Sequence, residues 1–221
     1  MKRLEAFEIL EKRVTELMAS KDKPVRVAVN GIEGSGKTSF VLELVHYLVQ
    51  QGIQAVHVGI DGFHNQKSYR YRQGRDSAQG YFEDSYNEAA FVEKVLLASQ
   101  EDVPRYTAAV HDLETDELFE LKTVALPQRS VIVTDGAYLF KPSYLPHWDL
   151  KVYLKVPFEV ARVRGTQRDA ELLGGVEAAH TKYITRYHAA SQIYIEACDP
   201  EKVADIIFDN SDFRNPELIK C

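Results

Sequence analysis

The sequence predicts an α/β fold: a three-layer α/β/α sandwich on a mainly parallel sheet, with a small β-hairpin flap and a lid attached. Three observations predict it. Short β-branched runs, "VRVAVN", "IQAVHVGI", "SVIVTDG", "HWDLKVYLKV" and "VADIIFDN", alternate with longer segments of helical periodicity. Strands that alternate with helices favour a parallel sheet covered on both faces. The first run passes through a Gly-rich turn into a helix pattern, the opening of a right-handed βαβ unit. At 221 residues, with 45% hydrophobic and 27% charged residues, the chain suits one large core with small appendages and no disordered tract.

From the amino end, Leu4, Phe7, Ile9, Leu10, Val14, Leu17 and Met18 recur at helical spacing, predicting an amphipathic helix within residues 1–22. "KDKP" ends it, and residues 23–221 form the main domain. Val25 to Asn30 is a strand, "KTSFVLELVHYLVQQG" a helix stopped at Gly52, and "IQAVHVGI" a second strand. Residues 61–86 are polar and rich in Gly, Tyr, Arg and Gln, too long for a simple connection, and predict a functional loop. "NEAAFVEKVLLAS" restores helical periodicity. A flap is expected over residues 103–126, with Asp112 to Val124 alternating like a hairpin. "SVIVTDG" is the third strand and "HWDLKVYLKV" the fourth, after which Pro157 opens a helix to about Arg164. A lid over residues 164–176 leads into the long helix "VEAAHTKYITRYHAASQIYIEAC" and a last strand.

The formal net charge of -6 gives no global attraction for a polyanion, so a nucleic-acid partner is not expected. The one basic, aromatic stretch, Tyr69 to Asp76, belongs to the predicted loop surface. No run approaches the roughly 18 apolar residues of a membrane span, and the charged amino end lacks the apolar core of a secretion signal. Cys198 and Cys221 form no disulfide framework. Together these features predict a soluble, cytoplasmic protein with no membrane partner.

"GIEGSGKT" fits G-x-x-x-x-G-K-[ST], with Gly31, Gly36, Lys37 and Thr38 in the required places, between a predicted strand and a predicted helix. That is the phosphate-binding loop of a P-loop NTPase. Gly31, Ile32, Glu33, Gly34, Ser35, Gly36, Lys37, Thr38 and Ser39 are the expected nucleotide contacts. The glycines let the backbone close around phosphate oxygens, and the helix N-terminus offers a positive surface. Lys37 adds a point charge, and the Thr38 hydroxyl suits a magnesium ion.

No N-K-x-D stretch for reading guanine is present. Phosphoryl transfer needs little more than magnesium ligands, a carboxylate near the acceptor hydroxyl and arginines over the transferring group. Asp61 follows the second strand, at the carboxyl edge of the sheet, and is the expected base. Asp135 ends the third strand where an acid holds magnesium. Arg164 and Arg168 in "RVRGTQRD" are the expected lid arginines that neutralise phosphate charge. A nucleotide-binding regulator with little transfer activity is the alternative, and such a binder has no use for a carboxylate at Asp61.

In their order, "GIEGSGKTS", "IDGFH", "VPRYTAAVH", "VTDGAYLF", "RVRGTQRD" and "ADIIFDN" resemble the uridine kinase and phosphoribulokinase family of P-loop kinases, from about Val25 to Asn210. The resemblance implies ATP and Mg2+ as cofactors and a small-molecule acceptor, with Asp61, Lys37 and Arg168 catalytic. It implies an acceptor pocket of Asp61, His64, Asn87, Tyr106 and His111, the last two keeping the spacing of the family's Y-D-x-x-x-H stretch. Uridine or cytidine, converted to the 5'-monophosphate, is the nearest acceptor by resemblance. A sugar phosphate, pantothenate or another nucleoside is the alternative. Asn87 stands where uridine kinases have an acid, Thr107 replaces the Asp of that stretch, Gly165 replaces a lid arginine, and Asp135 replaces a Glu. Related kinases often form homo-oligomers, to which the N-terminal helix would contribute.

Overall fold

The computed structural model describes residues 2–221. The strands are β1 (Val25–Asn30), β2 (Ala55–His57), β3 (Arg105–Thr107), β4 (Thr123–Ala125), β5 (Val131–Gly136), β6 (Leu150–Lys155), β7 (Ile206–Asp209) and β8 (Glu217–Lys220). The main sheet has the order β2-β5-β1-β6-β7-β8, and every pairing in it is parallel except β7 with β8.

Side chains of β1 alternate between two apolar layers, as the period of a strand requires. Val25, Val27 and Val29 face the layer built by the helices Arg3–Ser20 and Lys37–Gln50, where Phe7, Leu10, Phe40, Leu44 and Leu48 are buried. Ala28 faces the opposite layer, filled by Phe63, Phe91, Tyr138, Tyr144, Trp148 and Tyr194. The sheet is thus covered on both sides, and β1 and β5 are buried nearly throughout. The N-terminal helix packs Phe7 edge-on to Phe40, with ring centroids 5.2 Å apart, and Arg3 Nε lies 2.6 Å from Glu43. No helix among the described residues is long and apolar enough to cross a membrane.

Three elements differ from the expectation. The flap hairpin pairs β3 with β4, Tyr106 opposite Val124, and the stretch expected to alternate from Asp112 is mostly a loop pinned by a bridge between His111 and Leu118. Its alternating apolar residues, Leu113, Leu118, Phe119 and Leu121, are exposed, so nothing holds them in a strand. The helix opened by Pro157 runs as Phe158–Asp169, carrying both lid arginines, and the turn at residues 170–175 follows it. Finally, β8 adds an antiparallel edge that no buried residue announces.

Candidate active site

The phosphate loop leaves β1 at Asn30 and enters the helix at Lys37. Gly34 has φ +83°, and a Cβ there would lie 2.1 Å from the Ala161 carbonyl oxygen. Only glycine lets the loop pass this close to the helix Phe158–Asp169. Three buried side chains brace the loop. Asn210 Nδ2 donates to the Ser35 carbonyl at 2.8 Å, His188 Nε2 to the Glu33 carbonyl at 3.0 Å, and Ser191 Oγ to Glu33 Oε2 at 2.7 Å. Burial holds the His188 imidazole below its ordinary pKa, against the pull of Glu33, so it stays neutral beside the loop. The bracing groups engage two carbonyls and the Glu33 carboxylate, and the N–H groups of the first helical turn remain for an anion. Lys37 Nζ folds back onto the Ile32 carbonyl at 3.3 Å.

Thr38 and Asp135 meet at the foot of this loop. Thr38 Oγ1 donates to Asp135 Oδ2 at 2.5 Å, and His57 Nε2 donates to Asp135 Oδ1 at 2.5 Å. Burial pushes the Asp135 carboxyl upward, but the bonds from His57 and Thr38 and the charge of Lys37 outweigh it and hold the group below the usual carboxylate range. Two hard oxygen ligands, one of them ionised, fit a magnesium ion that keeps the rest of its shell from water and phosphate. No group of three His, Cys, Asp or Glu with metal-binding spacing exists among the described residues. His57, the last residue of β2, carries no motif that marks it as Asp135's partner.

Asp61 sits in a single 3₁₀ turn, Ile60–Phe63, just beyond β2. Its side chain is exposed and accepts a hydrogen bond from the Tyr86 hydroxyl at 3.2 Å. His64 lies beneath, its Nδ1 donating to the Asp61 carbonyl at 2.8 Å and its ring 4.5 Å from that of Tyr86. Burial depresses the His64 pKa, which Asp61 raises and Arg70 and His111 lower further. His111 is buried near it, with Nε2 donating to Asp116 at 3.0 Å and Nδ1 without a partner. The structure therefore brings Asp61, His64 and His111 together. Tyr106 lies on the flap strand β3, half-buried against the core. Asn87 caps the helix Glu88–Phe91, its Oδ1 accepting from the Ala90 amide at 3.1 Å. Its side chain is thus used in capping the helix.

The lid arginines part company. Arg168 is held by Asp169, with Nε–Oδ1 at 2.7 Å, and by the Tyr183 hydroxyl at 3.3 Å. The bond to Asp169 raises its pKa, and Asp61 is near enough to add to that. Arg164 turns the other way. It donates to the carbonyls of Asn210, at 3.0 Å, and Ser211, and stacks 5.7 Å from the Phe213 ring. Arg3, Gly36, Ser39, Glu43, Arg164 and Phe213 line a cleft of about 300 Å³ beside the loop. Arg164 thus lies in a cleft with Gly36 and Ser39, whereas Arg168 is tied to Asp169 and Tyr183.

The pattern of the "Phosphoribulokinase / Uridine kinase family" matches residues 26–214. The chain belongs to this family. Members are P-loop kinases, and the phosphate loop and the segment Phe158–Asp169 both lie within the matched residues. The chain is 26% identical over 161 residues to the uridine kinase of Leuconostoc citreum (strain KM20), covering 69% of this chain and 71% of that protein. It is 31% identical over 142 residues to the signal recognition particle 54 kDa protein of Methanothermobacter thermautotrophicus, covering 60% of this chain but spanning only 31% of that protein's length. In fold it is similar to a possible uridine kinase from Bacillus stearothermophilus, at TM-score 0.68 and 23% identity, over 90% of this chain and 99% of that one.

Proposed function

We propose that the protein transfers the terminal phosphoryl group of ATP to a hydroxyl of a small molecule. One observation carries the reading: Asp61 is exposed at the carboxyl edge of the sheet, oriented by the Tyr86 hydroxyl at 3.2 Å and within the electrostatic reach of Arg168. A carboxylate so placed orients an acceptor hydroxyl and takes its proton as the P–O bond forms. Lys37 and the loop amides hold the phosphates, and Arg168 closes on the charge that develops during transfer. Thr38 and Asp135 would hold magnesium, which would supply positive charge to offset that of the phosphates.

The uridine kinase likeness, with Tyr106 and His111 at the flap, favours a nucleoside as acceptor. A phosphorylated or carboxylated alcohol is the second reading, and a buried cation described below favours it. The test is acceptor-dependent ADP release with ATP and magnesium over nucleosides, sugar phosphates and hydroxy acids. Asp61→Asn is expected to keep nucleotide affinity and lose transfer by about 100-fold or more, and Lys37→Ala to lose nucleotide affinity. ADP release unchanged in Asp61→Asn would sink the mechanism.

A further inference from the structure

Three cationic side chains are buried among the described residues: Arg70, Lys141 and Arg186. Lys141 lies 2.7 Å from Glu88 and Arg70 lies 3.7 Å from Asp116. Arg186, only 4% exposed, has no carboxylate within 4.0 Å and no hydrogen-bond acceptor among the described residues, and its Nε is enclosed without a partner. A buried guanidinium lacking an anion is costly, and proteins rarely keep one without use.

Its surroundings come from the acceptor side of the site. The guanidinium carbon is 5.2 Å from the ring of Tyr71, 4.6 Å from Tyr81 and 5.6 Å from Tyr187. Tyr71, in a turn, and Tyr81, on the helix Ala78–Asp84, lie within residues 61–86, the segment that also carries Asp61 and Tyr86. Burial raises the Tyr81 phenol well above its ordinary pKa, as do the charges of Glu33 and Asp61, while Arg186 opposes them. One ring therefore senses the phosphate loop, the expected base and Arg186 together. The nearby acids have other partners, Glu33 Oε2 with Ser191, Asp61 with Tyr86 and Asp169 with Arg168, and Glu33 Oε1, though buried without a partner, lies beyond 4.0 Å of the guanidinium. In addition, the helix widens to π geometry over Tyr183–His188, the turn that carries Arg186, a distortion concentrated at functional sites.

We propose that Arg186, in its cage of three tyrosines, binds a carboxylate or phosphate carried by the acceptor. This deepens the phosphoryl-transfer reading and rests on it. The nucleotide phosphates already have the loop amides, Lys37 and Arg168, whereas Arg186 has no assigned anion and stands among acceptor-loop rings. Guanidinium is suited to both anions through paired N–H donors. The acceptor class would then be a phosphorylated sugar or a hydroxy acid.

The test combines kinetics with binding. ADP release is measured with uridine, ribose, ribose 5-phosphate, glycerate and pantothenate. Melting temperature is measured with each compound added to protein saturated with a non-hydrolysable ATP analogue and magnesium. Wild type, Arg186→Gln and, as a charge-retaining control for folding, Arg186→Lys are compared. The proposal expects an anionic compound to be the acceptor and to raise the melting temperature. It expects Arg186→Gln to raise that acceptor's KM about 10- to 100-fold, as for loss of a charged hydrogen bond, with nucleotide Kd within about twofold. Arg186→Lys should fall between, since it keeps the charge and loses the fork. A neutral acceptor whose KM is unchanged in Arg186→Gln overturns this proposal and leaves phosphoryl transfer standing. Nucleotide affinity falling as far as acceptor affinity also overturns it, assigning Arg186 to the nucleotide. No acceptor-dependent ADP release from any compound sinks the transfer reading, and absence of any anion-dependent melting shift then removes the Arg186 site as well.

Discussion

Gly165 faces Tyr183 so closely that a Cβ on the glycine would stand 2.1 Å from the tyrosine Cζ and 2.3 Å from its hydroxyl oxygen. The tyrosine holds Asp169, which in turn holds Arg168, with Tyr183 OH to Asp169 Oδ2 at 2.7 Å. This packing leaves no room for a larger side chain at Gly165, because the space belongs to Tyr183.

Gly165→Ala is therefore expected to displace Tyr183 and loosen Arg168 together. Overpacking of this kind costs about 1 to 3 kcal/mol, and transfer should fall more than nucleotide affinity. Combined with Tyr183→Ala it should cost less than the sum of the two single losses, because the clash disappears with the ring. Additive losses in thermal melting of the double variant would count against the steric account.

His57 gives a second prediction. It orients Asp135 through Oδ1 while Thr38 meets Oδ2, so the carboxylate has both oxygens fixed before any ion arrives. Partners of a ligating carboxylate typically matter about 10- to 100-fold in metal affinity. His57→Ala is expected to raise the magnesium concentration needed for half-maximal ADP release, with little change at saturating magnesium. A His57→Gln side chain retains an N–H donor and should restore part of the loss. An unchanged magnesium requirement in His57→Ala would remove the positioning role.

Much of this was legible in sequence, and the boundary has a physical cause. β1, β5, β6 and β7 are buried runs whose apolar pattern is local, and the phosphate loop is a contiguous motif. What stayed hidden depends on contacts between distant segments. His57 and Asp135 are 78 residues apart, Ser191 and Glu33 158, and Asn210 and Ser35 175. Arg164 and Arg168 look equivalent in "RVRGTQRD" and share a helix face at i, i+4, yet their long side chains take different partners, the carbonyls after β7 for Arg164 and Asp169 for Arg168. β4 and β8 are exposed at every residue, so no burial pattern announces them.

Acid should destabilise the fold well before the carboxylates protonate. His64 and His188 are both held below the ordinary histidine value, chiefly by burial. The unfolded chain binds protons at about pH 6.5 while the folded one resists until lower pH. Their contribution is thus fully present above that value and is lost as pH falls from it toward the folded pKa values. The slope is at most about 1.4 kcal/mol per pH unit for each group. Thermal melting should decline between pH 7 and pH 5.5, and His188→Gln, which keeps a donor for the Glu33 carbonyl, should flatten part of that decline. Melting that is level across this range would contradict the neutral, buried assignment.

The cleft between Arg164 and Phe213 supplies the last prediction. Phe213 is half-exposed, and the Arg164 guanidinium lies 5.7 Å from its ring, an arrangement with an aromatic face and an adjacent planar cation beside Gly36 and Ser39. A nucleobase stacks on such surfaces, and the cleft adjoins the loop that receives the phosphates. Loss of one aromatic contact is worth about 0.5 to 1.5 kcal/mol, which converts to about a 2- to 12-fold weaker Kd for ATP in Phe213→Ala. Tripolyphosphate has no base and should bind wild type and Phe213→Ala equally, whereas Lys37→Ala should weaken both ligands. If Phe213→Ala weakened tripolyphosphate as much as ATP, the cleft would be acting on the loop and not on the base.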